Sequence, residues 1–323
     1  MKNRYEPPEK KLWSGRSSSN SLYLHEKVLP TNLDQIKSLA RGQNGIGILG
    51  YACDEGVKRN QGRVGAAQGP DAIRRKFGKM PNHLPDNCEL FDFGNLSCKD
   101  GDMEATQAAL AQGVERIKEH ELFCVVLGGG HDLAYGHYQG LKRSLGADQV
   151  LGIINFDAHF DLRSNLKGNN SGTPFFQIGS DCNETDTAFK YLCLGIREDA
   201  NDRSLYDTTS VFGVNYLEIE RFQMPHLELV LQEIEYFIQG VDAVYVTIDL
   251  DGFSSAYAMG VSAPSPMGFD PQLVTECLKT IIHSKKMVGL DIAEMNPEYD
   301  IDEQTASLAA SLLHFAIHRI SLL

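Results

Sequence analysis

The feature that most constrains the fold of this chain is an alternation of short, largely apolar runs with longer segments of helical periodicity. The apolar runs lie at 45–50, 90–93, 122–127, 149–156, 191–196, 244–250 and 287–292. Helical spacing separates them at 102–120, 217–238 (with a break near Pro225), 271–282 and 303–321. Strands that alternate with helices pair in parallel and carry helices on both faces of the sheet. The sequence therefore predicts an α/β fold.

The length of 323 residues allows one large domain or two ordinary ones. The first 40 residues are polar and rich in Lys and Ser, and they hold the only tryptophan, Trp13. No Pro/Ser-rich linker and no internal repeat divides the remainder. We therefore predict an N-terminal arm at residues 1–40 and a single domain at residues 41–323.

The net charge of −13 argues against a nucleic-acid partner and against binding to an anionic membrane. No apolar run approaches membrane-spanning length, and the polar N-terminus lacks the apolar core of a signal peptide. The seven cysteines are odd in number and show no CxxC pair, and Cys124 and Cys193 lie inside apolar runs as expected for buried free thiols. These features predict a cytoplasmic protein.

Three side chains that can bind a metal follow the apolar run at 149–156. Asp157, His159 and Asp161 are spaced two residues apart. Alternate residues of an extended segment share a face, so these three side chains can converge on one point. In an open α/β sheet, binding sites lie at the carboxyl ends of the strands. The stretch therefore predicts a polar site at the end of a strand.

Other strand ends carry similar groups. Asp249 and Asp251 lie at the end of the run at 244–250 and just after it, Glu294 follows the run at 287–292, and His131 follows a run of three glycines after 122–127. Taken alone, such an Asp is usually a helix cap and such a His is usually a packing or surface residue. Here, however, four strand ends carry such groups, and in a parallel sheet these ends lie at one edge. Helix capping and packing do not explain the whole set.

Electrostatics indicates what such a cluster holds. Asp157, Asp161, Asp249 and Asp251 would repel one another if they were packed together, and two divalent cations would neutralise them. Carboxylate and imidazole donors without thiolate favour Mn²⁺ or a similar ion over structural zinc. Two such cations lower the pKa of a shared water toward neutrality, so the pattern predicts metal-assisted hydrolysis.

The motifs Gly-Gly-Gly-His131-Asp, Asp157-Ala-His159-Phe-Asp161, Asp249-Leu-Asp251 and Gly-Leu-Asp-Ile-Ala-Glu294 resemble the four signatures of the ureohydrolases, which include arginases, agmatinases and formimidoylglutamases. The resemblance runs from about residue 45 to the C-terminus. It implies a three-layer α/β/α sandwich around a mostly parallel eight-stranded sheet, two Mn²⁺ per subunit and a homo-oligomer. By motif position, one ion would be held by His131, Asp157, Asp161 and Asp249, and the other by His159, Asp157, Asp249 and Asp251.

Departures from the general pattern make the chain similar to the formimidoylglutamase branch. Ser171 stands where arginases and agmatinases carry a histidine, and Arg163 stands where arginases carry an asparagine. A guanidinium grips a carboxylate through two charge-assisted hydrogen bonds, which an amide cannot do. The resemblance thus implies hydrolysis of N-formimidoyl-L-glutamate, a small-molecule substrate, to L-glutamate and formamide.

The same resemblance implies roles for individual residues. Asp161 would carry a proton to the leaving nitrogen, and Glu294 would orient the cationic amidinium. The substrate carboxylates would contact Arg163, Asn170, Ser171 and Arg197.

Alternatives remain open at this stage. The chain could be a ureohydrolase that acts on a guanidino compound and releases urea, or a metal-binding protein of this fold without catalytic activity. Arg163 could instead form an ion pair with a neighbouring acid. His137, in the helix after His131, is interpreted as a packing residue, and His314 and His318 as residues that interact with a helix end.

Overall fold

A computed structural model of the chain describes residues 3–18, 20–39 and 44–323. The strands in these ranges are β1 (Tyr5–Glu6), β2 (Val28–Pro30), β3 (Gly45–Ala52), β4 (Glu89–Ser97), β5 (Phe123–Leu127), β6 (Leu151–Phe156), β7 (Lys190–Ile196), β8 (Asn215–Glu218), β9 (Ala243–Asp249) and β10 (Met287–Ala293). The α-helices are α1 (Leu24–Lys27), α2 (Glu55–Arg59), α3 (Gly69–Phe77), α4 (Met103–Glu119), α5 (Leu133–Arg143), α6 (Pro174–Glu184), α7 (Arg203–Phe212), α8 (Leu227–Gln239), α9 (Pro271–His283) and α10 (Gln304–Ile320).

All of these strands belong to one sheet with the order β1-β4-β3-β5-β10-β9-β6-β7-β8, and β2 also pairs with β4. The strands from β3 onward pair in parallel, as the alternation of strands and helices predicts. The expected count of eight strands is wrong, because the described sheet has ten. The two additional strands, β1 and β2, come from the N-terminal arm and pair with β4 at 95–96 and 90–92. They cover backbone groups that β4 would otherwise expose.

One predicted element is wrong in type. The helical pattern at 217–238 begins in a strand, β8, and only its second half forms α8, which starts at Leu227. Strand β8 has four residues, and only Leu217 among them is buried. A strand this short at the sheet edge leaves too little alternation to be recognised, and it is defined by its pairing with β7.

The helices form two layers, one on each face of the sheet. Apolar side chains of α3, α8, α9 and α10 pack into one buried cluster, exemplified by Phe77, Ile234, Leu278 and Leu313. Those of α4, α5, α6 and α7 pack into another, exemplified by Leu110, Leu141, Ile178 and Leu205. Successive residues of a strand alternate between the clusters, since adjacent strand side chains point to opposite faces. The predicted α/β/α sandwich is confirmed.

The N-terminal arm is anchored by Trp13, which hydrogen bonds to the buried ion pair of Arg74 and Asp92. The Trp13 indole Nε1 donates to Asp92 Oδ2 at 2.7 Å, and Arg74 Nη2 donates to Asp92 Oδ1 at 2.8 Å. All three side chains are buried. The division into an arm at 1–40 and a domain at 41–323 stays a prediction, because residues 40–43 at the boundary lie outside the described ranges.

Within the described residues, no helix combines the length and the apolar character that crossing a lipid bilayer requires. Cys124 and Cys193 are fully buried free thiols, as predicted.

Candidate metal centre and active site

One side of the cluster is built around His131. Its Nδ1 atom lies 2.8 Å from Asp161 Oδ2, 3.0 Å from Asp249 Oδ2 and 3.3 Å from Asp157 Oδ2. These four residues each offer one donor atom to a common point, an arrangement that can hold a metal ion. The predicted first set of ligands is therefore brought together.

The other side of the cluster is built around His159. Its Nδ1 atom lies 3.2 Å from Asp251 Oδ1 and 3.4 Å from Asp157 Oδ1. Asp157, His159 and Asp251 form a second group that can hold a metal ion. Asp157 thus belongs to both groups, one oxygen facing each imidazole. Asp249 was predicted as a second bridge. Its Oδ2 lies 3.0 Å from His131 Nδ1, and its Oδ1 accepts a hydrogen bond from Asp251 N at 2.8 Å. Its role as a bridge between two ions stays a prediction.

Adjacent parallel strands bring these residues together. β5, β10, β9 and β6 are neighbours in the sheet, and the cluster lies beyond their carboxyl ends. Two of the site residues, Asp161 and Glu294, have positive φ angles of 49° and 65°. A non-glycine residue in this region of φ is strained, and such strain persists where the surrounding structure enforces it.

The glycine run before His131 permits a close approach of backbones. Gly129 N donates to Tyr51 O at 2.7 Å, and a Cβ atom on Gly129 would lie 2.0 Å from Cys53 O. Any larger residue would push the loop away from β3. The loop also binds Glu294, whose Oε1 accepts a hydrogen bond from His131 N at 2.8 Å. The glycines therefore let the loop pack closely against Cys53 and position His131 beside Glu294.

Burial and mutual repulsion shift the ionisation of the clustered acids. Burial, and then the neighbouring Asp249, raises the pKa of Asp251 well above its usual value. Burial raises the pKa of Glu294 in the same direction, with Asp249 and Asp251 adding to the effect. Burial and the charge of Asp157 likewise raise the pKa of Asp161. In the absence of cations these carboxylates cannot all remain ionised.

The donor atoms fit a pair of divalent cations. His131 Nδ1 is buried and makes no hydrogen bond, although three carboxylate oxygens face it, and Asp251 Oδ1 is buried without a hydrogen bond as well. His131 Nε2 contacts Thr247 Oγ1 at 2.9 Å. In the tautomer in which Nε2–H donates to Thr247, the Nδ1 lone pair points into the carboxylate cluster, as in a metal-binding histidine.

A cavity of about 270 Å³ opens beside the cluster. It is lined by several predicted site residues: His159, Asp161, Asp251, Glu294, Arg163 and Ser171. The nearest acid to Arg163 is Asp202, at 3.9 Å, and both side chains are about half exposed. An ion pair at this distance and exposure is weak, so the Arg163 guanidinium stays accessible to a ligand.

Two predicted substrate contacts, Asn170 and Arg197, are not among the described residues that line the cavity. Asn170 Oδ1 accepts a hydrogen bond from Gly172 N at 2.9 Å. Arg197 is buried and donates to Asp199 Oδ2 at 2.6 Å. Asn170 therefore shapes the loop that carries Ser171.

Other residues of the site had not been predicted. Asn60, at the end of α2, lines the cavity and donates from Nδ2 to Ser171 Oγ at 3.2 Å. Ser262 lines it too and accepts from Arg63 N at 2.9 Å. Both residues lie outside regular strands and helices, so no periodic pattern in the sequence points to them. The two-residue spacing of strands could have identified Thr247 as a site residue. It precedes Asp249 by two residues, so both side chains lie on the same face of β9.

Comparison with known proteins agrees with this geometry. Residues 44–318 match the model of the arginase family. The chain belongs to the arginase family. The prediction of a ureohydrolase is thereby confirmed.

Full-length relatives place the chain within this family. It is 40% identical over 320 residues to a formimidoylglutamase of Geobacillus sp. (strain WCH70), covering 96% of this chain and 97% of that protein. The formimidoylglutamase of Bacillus subtilis superposes with a TM-score of 0.82 at 20% identity, over 96% of this chain and 95% of that one. A structure of Trypanosoma cruzi formiminoglutamase with Mn²⁺ superposes with a TM-score of 0.76 at 21% identity, over 90% and 98% of the two chains. This chain therefore shares its fold with these two proteins.

Proposed function

We propose that this arginase-family chain is a formimidoylglutamase, which hydrolyses N-formimidoyl-L-glutamate to L-glutamate and formamide. The observation that carries the proposal is one cavity with two kinds of group: the two-imidazole cluster at one end and the accessible guanidinium of Arg163 on the wall. The reaction needs a site that activates water beside a group that binds carboxylate. Relatives of this name that match almost the whole chain support the assignment.

We assign the cofactor as two Mn²⁺ per subunit. His131, Asp157, Asp161 and Asp249 would hold one ion, and Asp157, His159 and Asp251 would hold the other. The family resemblance implies that Asp249 is shared between the two ions as well. All donors are carboxylate or imidazole, which suits Mn²⁺. When bound, a pair of such cations lowers the pKa of water enough to supply a nucleophile near neutral pH.

Two acids act on the substrate directly in this proposal. Glu294 lines the cavity, and its Oε2 is buried without a hydrogen bond. This oxygen is available to accept a hydrogen bond from the cationic amidinium, and the bond strengthens as the planar carbon becomes tetrahedral. Asp161 also lines the cavity and would carry the proton of the attacking water to the leaving nitrogen.

The glutamate end of the substrate would lie against the wall formed by Arg163, Ser171 and Asn60. Arg163 N donates to Gly172 O at 2.9 Å, so the guanidinium and the serine hydroxyl are held on one surface. Arg163 can bind a carboxylate with two hydrogen bonds, and Ser171 can add a third. Direct contacts from Asn170 and Arg197 stay predictions without support from the cavity lining.

The decisive experiment compares substrates. Purified protein loaded with Mn²⁺ is assayed with formimidoylglutamate, arginine, agmatine and guanidinobutyrate, and the products are identified. We expect formamide and glutamate from the first compound at the highest kcat/KM. Faster release of urea from any guanidino compound would overturn the substrate assignment. Absence of turnover with every compound, despite bound Mn²⁺, would favour a non-catalytic protein.

We also propose a cytoplasmic homo-oligomer that has neither a nucleic-acid nor a membrane partner. The net charge of −13 repels polyanions, and free cysteines suit a reducing compartment. The homo-oligomer rests on family resemblance alone. Sedimentation equilibrium of the Mn²⁺-loaded protein at several concentrations measures the subunit number, and a concentration-independent monomer would contradict it.

A further inference from the structure

A row of buried polar residues crosses the sheet directly beneath the candidate metal centre. Asn155 of β6 pairs in register with Thr247 of β9, which pairs with Asp291 of β10. All three are completely buried. Asn155 donates to Asp157 Oδ2 at 3.0 Å, so this end of the row supports a proposed ligand directly.

Thr247, in the middle of the row, lies between His131 and the Asp291 end. His131 Nε2 contacts Thr247 Oγ1 at 2.9 Å. Thr247 shares its face of β9 with Tyr245, two residues earlier, and pairs in register with Asp291. Tyr245 OH donates in turn to Asp291 Oδ2 at 2.5 Å. His137 Nδ1 also contacts this oxygen, at 2.6 Å.

The Asp291 carboxylate sets the direction of the hydrogen bonds that these groups can make. Asp291 accepts from the Tyr245 hydroxyl, so the Tyr245 oxygen is free to accept from Thr247. The Thr247 oxygen is then free to accept from the Nε2–H of His131. A hydroxyl can both donate and accept, so the carboxylate at the end sets one direction for donation along Tyr245, Thr247 and His131.

We infer that Tyr245 and Asp291 are positioning residues for the metal centre and act on His131 through Thr247. The inference rests on the proposed metal function. A histidine that binds a metal through one ring nitrogen usually donates the other N–H to a carboxylate or carbonyl, which holds its tautomer and ring orientation. Here two hydroxyls, those of Thr247 and Tyr245, lie between the imidazole and the carboxylate.

Packing alone does not account for this arrangement. Asp291, Tyr245 and His137 are fully buried, and Asp291 Oδ1 has no hydrogen bond. A buried carboxylate with an unpaired oxygen costs free energy that an apolar side chain would avoid. His137, interpreted from the sequence as a packing residue, does pack on the Tyr245 ring, with 4.8 Å between ring centroids. His137 also contacts the Asp291 carboxylate through Nδ1.

The test is equilibrium titration of metal-free protein with Mn²⁺, followed by calorimetry and by electron paramagnetic resonance. Thr247→Val and Tyr245→Phe remove one hydroxyl each and nearly preserve volume, and Thr247→Ser retains the hydroxyl. Tyr138→Phe is the matched control, because Tyr138 is a buried tyrosine whose hydroxyl contacts only Cys182 Sγ, at 3.7 Å. Circular dichroism melts of the metal-free variants measure any general loss of stability.

We expect Thr247→Val and Tyr245→Phe to weaken one of the two Mn²⁺ sites by about tenfold or more, the usual effect of removing a partner of a ligand. Thr247→Ser and Tyr138→Phe should bind Mn²⁺ as the wild type does. Wild-type affinity at both sites in Thr247→Val and Tyr245→Phe would overturn the inference and leave the proposed function intact. Equal weakening in Tyr138→Phe, or in Thr247→Ser, would also overturn it. A wild type that binds no Mn²⁺ would overturn the proposed metal centre itself and the inference with it.

Discussion

Asp157 Oδ2 lies 3.3 Å from Nδ1 of His131, and the other oxygen of the same carboxylate lies 3.4 Å from Nδ1 of a second histidine, His159. Asp157 is therefore shared by both candidate metal sites, whereas Asp251 belongs only to the site of His159. This difference leads to distinct expectations for the two residues.

We predict that Asp157→Ala removes both equivalents of Mn²⁺ and all measurable activity. Asp251→Ala should remove only one equivalent, because the group around His131 keeps its four donors. Elemental analysis after dialysis against Mn²⁺-containing buffer gives the stoichiometry. Retention of one tightly bound equivalent by Asp157→Ala would show that this carboxylate is not shared.

The sequence predicted the core of the fold because buried parallel strands are short, apolar and bounded by polar residues. The run at 244–250, for example, corresponds to β9 within one residue at each end. The arm strands β1 and β2 have two and three residues, and their pairing is determined by the exposed edge of β4. No local pattern in 1–40 encodes that contact.

The proposed metal-binding residues were predictable because strands impose a spacing of two residues on side chains that share a face. Asp157, His159 and Asp161 lie together as that spacing requires. The wall of the cavity was less predictable. Asn60 reaches Ser171 across 111 positions of the chain, and only the folded loops define that contact.

Replacement of Arg163 by Ala should raise KM for formimidoylglutamate at least tenfold and change kcat little. The guanidinium would bind a carboxylate that is far from the reacting carbon, so the contact is the same in the ground state and the transition state. Steady-state kinetics with the Mn²⁺-loaded enzyme measures both constants. The matched control is Arg203→Ala, since Arg203 is an exposed arginine of α7 outside the cavity lining. An unchanged KM in Arg163→Ala would assign Arg163 a structural role.

Stability should fall as the pH decreases through the range in which His318 titrates. Burial lowers the pKa of His318 to about 4. In the unfolded chain a histidine has a pKa of about 6.5, so unfolding takes up protons between these two values. The contribution of neutral His318 is therefore present above about pH 6.5 and is lost as the pH falls toward 4.

The measurement is urea unfolding of metal-free protein at about pH 7 and about pH 5, with His318→Gln as the comparison. His318 Nε2 accepts a hydrogen bond from His83 N at 3.0 Å, and a glutamine oxygen can take over that role without titrating. The wild type should lose more unfolding free energy than the variant between the two pH values. Equal losses in the two proteins would show that His318 titrates at the same pH when folded and unfolded.

Replacement of Arg74 by Met should destabilise the protein by about 3–5 kcal/mol, the usual cost of leaving a buried charge without its partner. Arg74 Nη2 donates to Asp92 Oδ1 at 2.8 Å, and both side chains are at most 1% exposed. Asp92 also accepts from Trp13, the only tryptophan. Tryptophan fluorescence during urea unfolding therefore reports release of the arm, while circular dichroism reports the helices.

The control for this replacement is Arg75→Met, because Arg75 is an exposed neighbour in the same helix and should change stability by less than about 0.5 kcal/mol. Adding Asp92→Asn to Arg74→Met should recover part of the loss, since the unpaired charge is then removed. If Arg74→Met were no less stable than Arg75→Met, the Asp92 charge would have to be balanced without Arg74. A loss visible in tryptophan fluorescence alone would instead show that the pair holds only the arm and contributes nothing to the stability of the sheet.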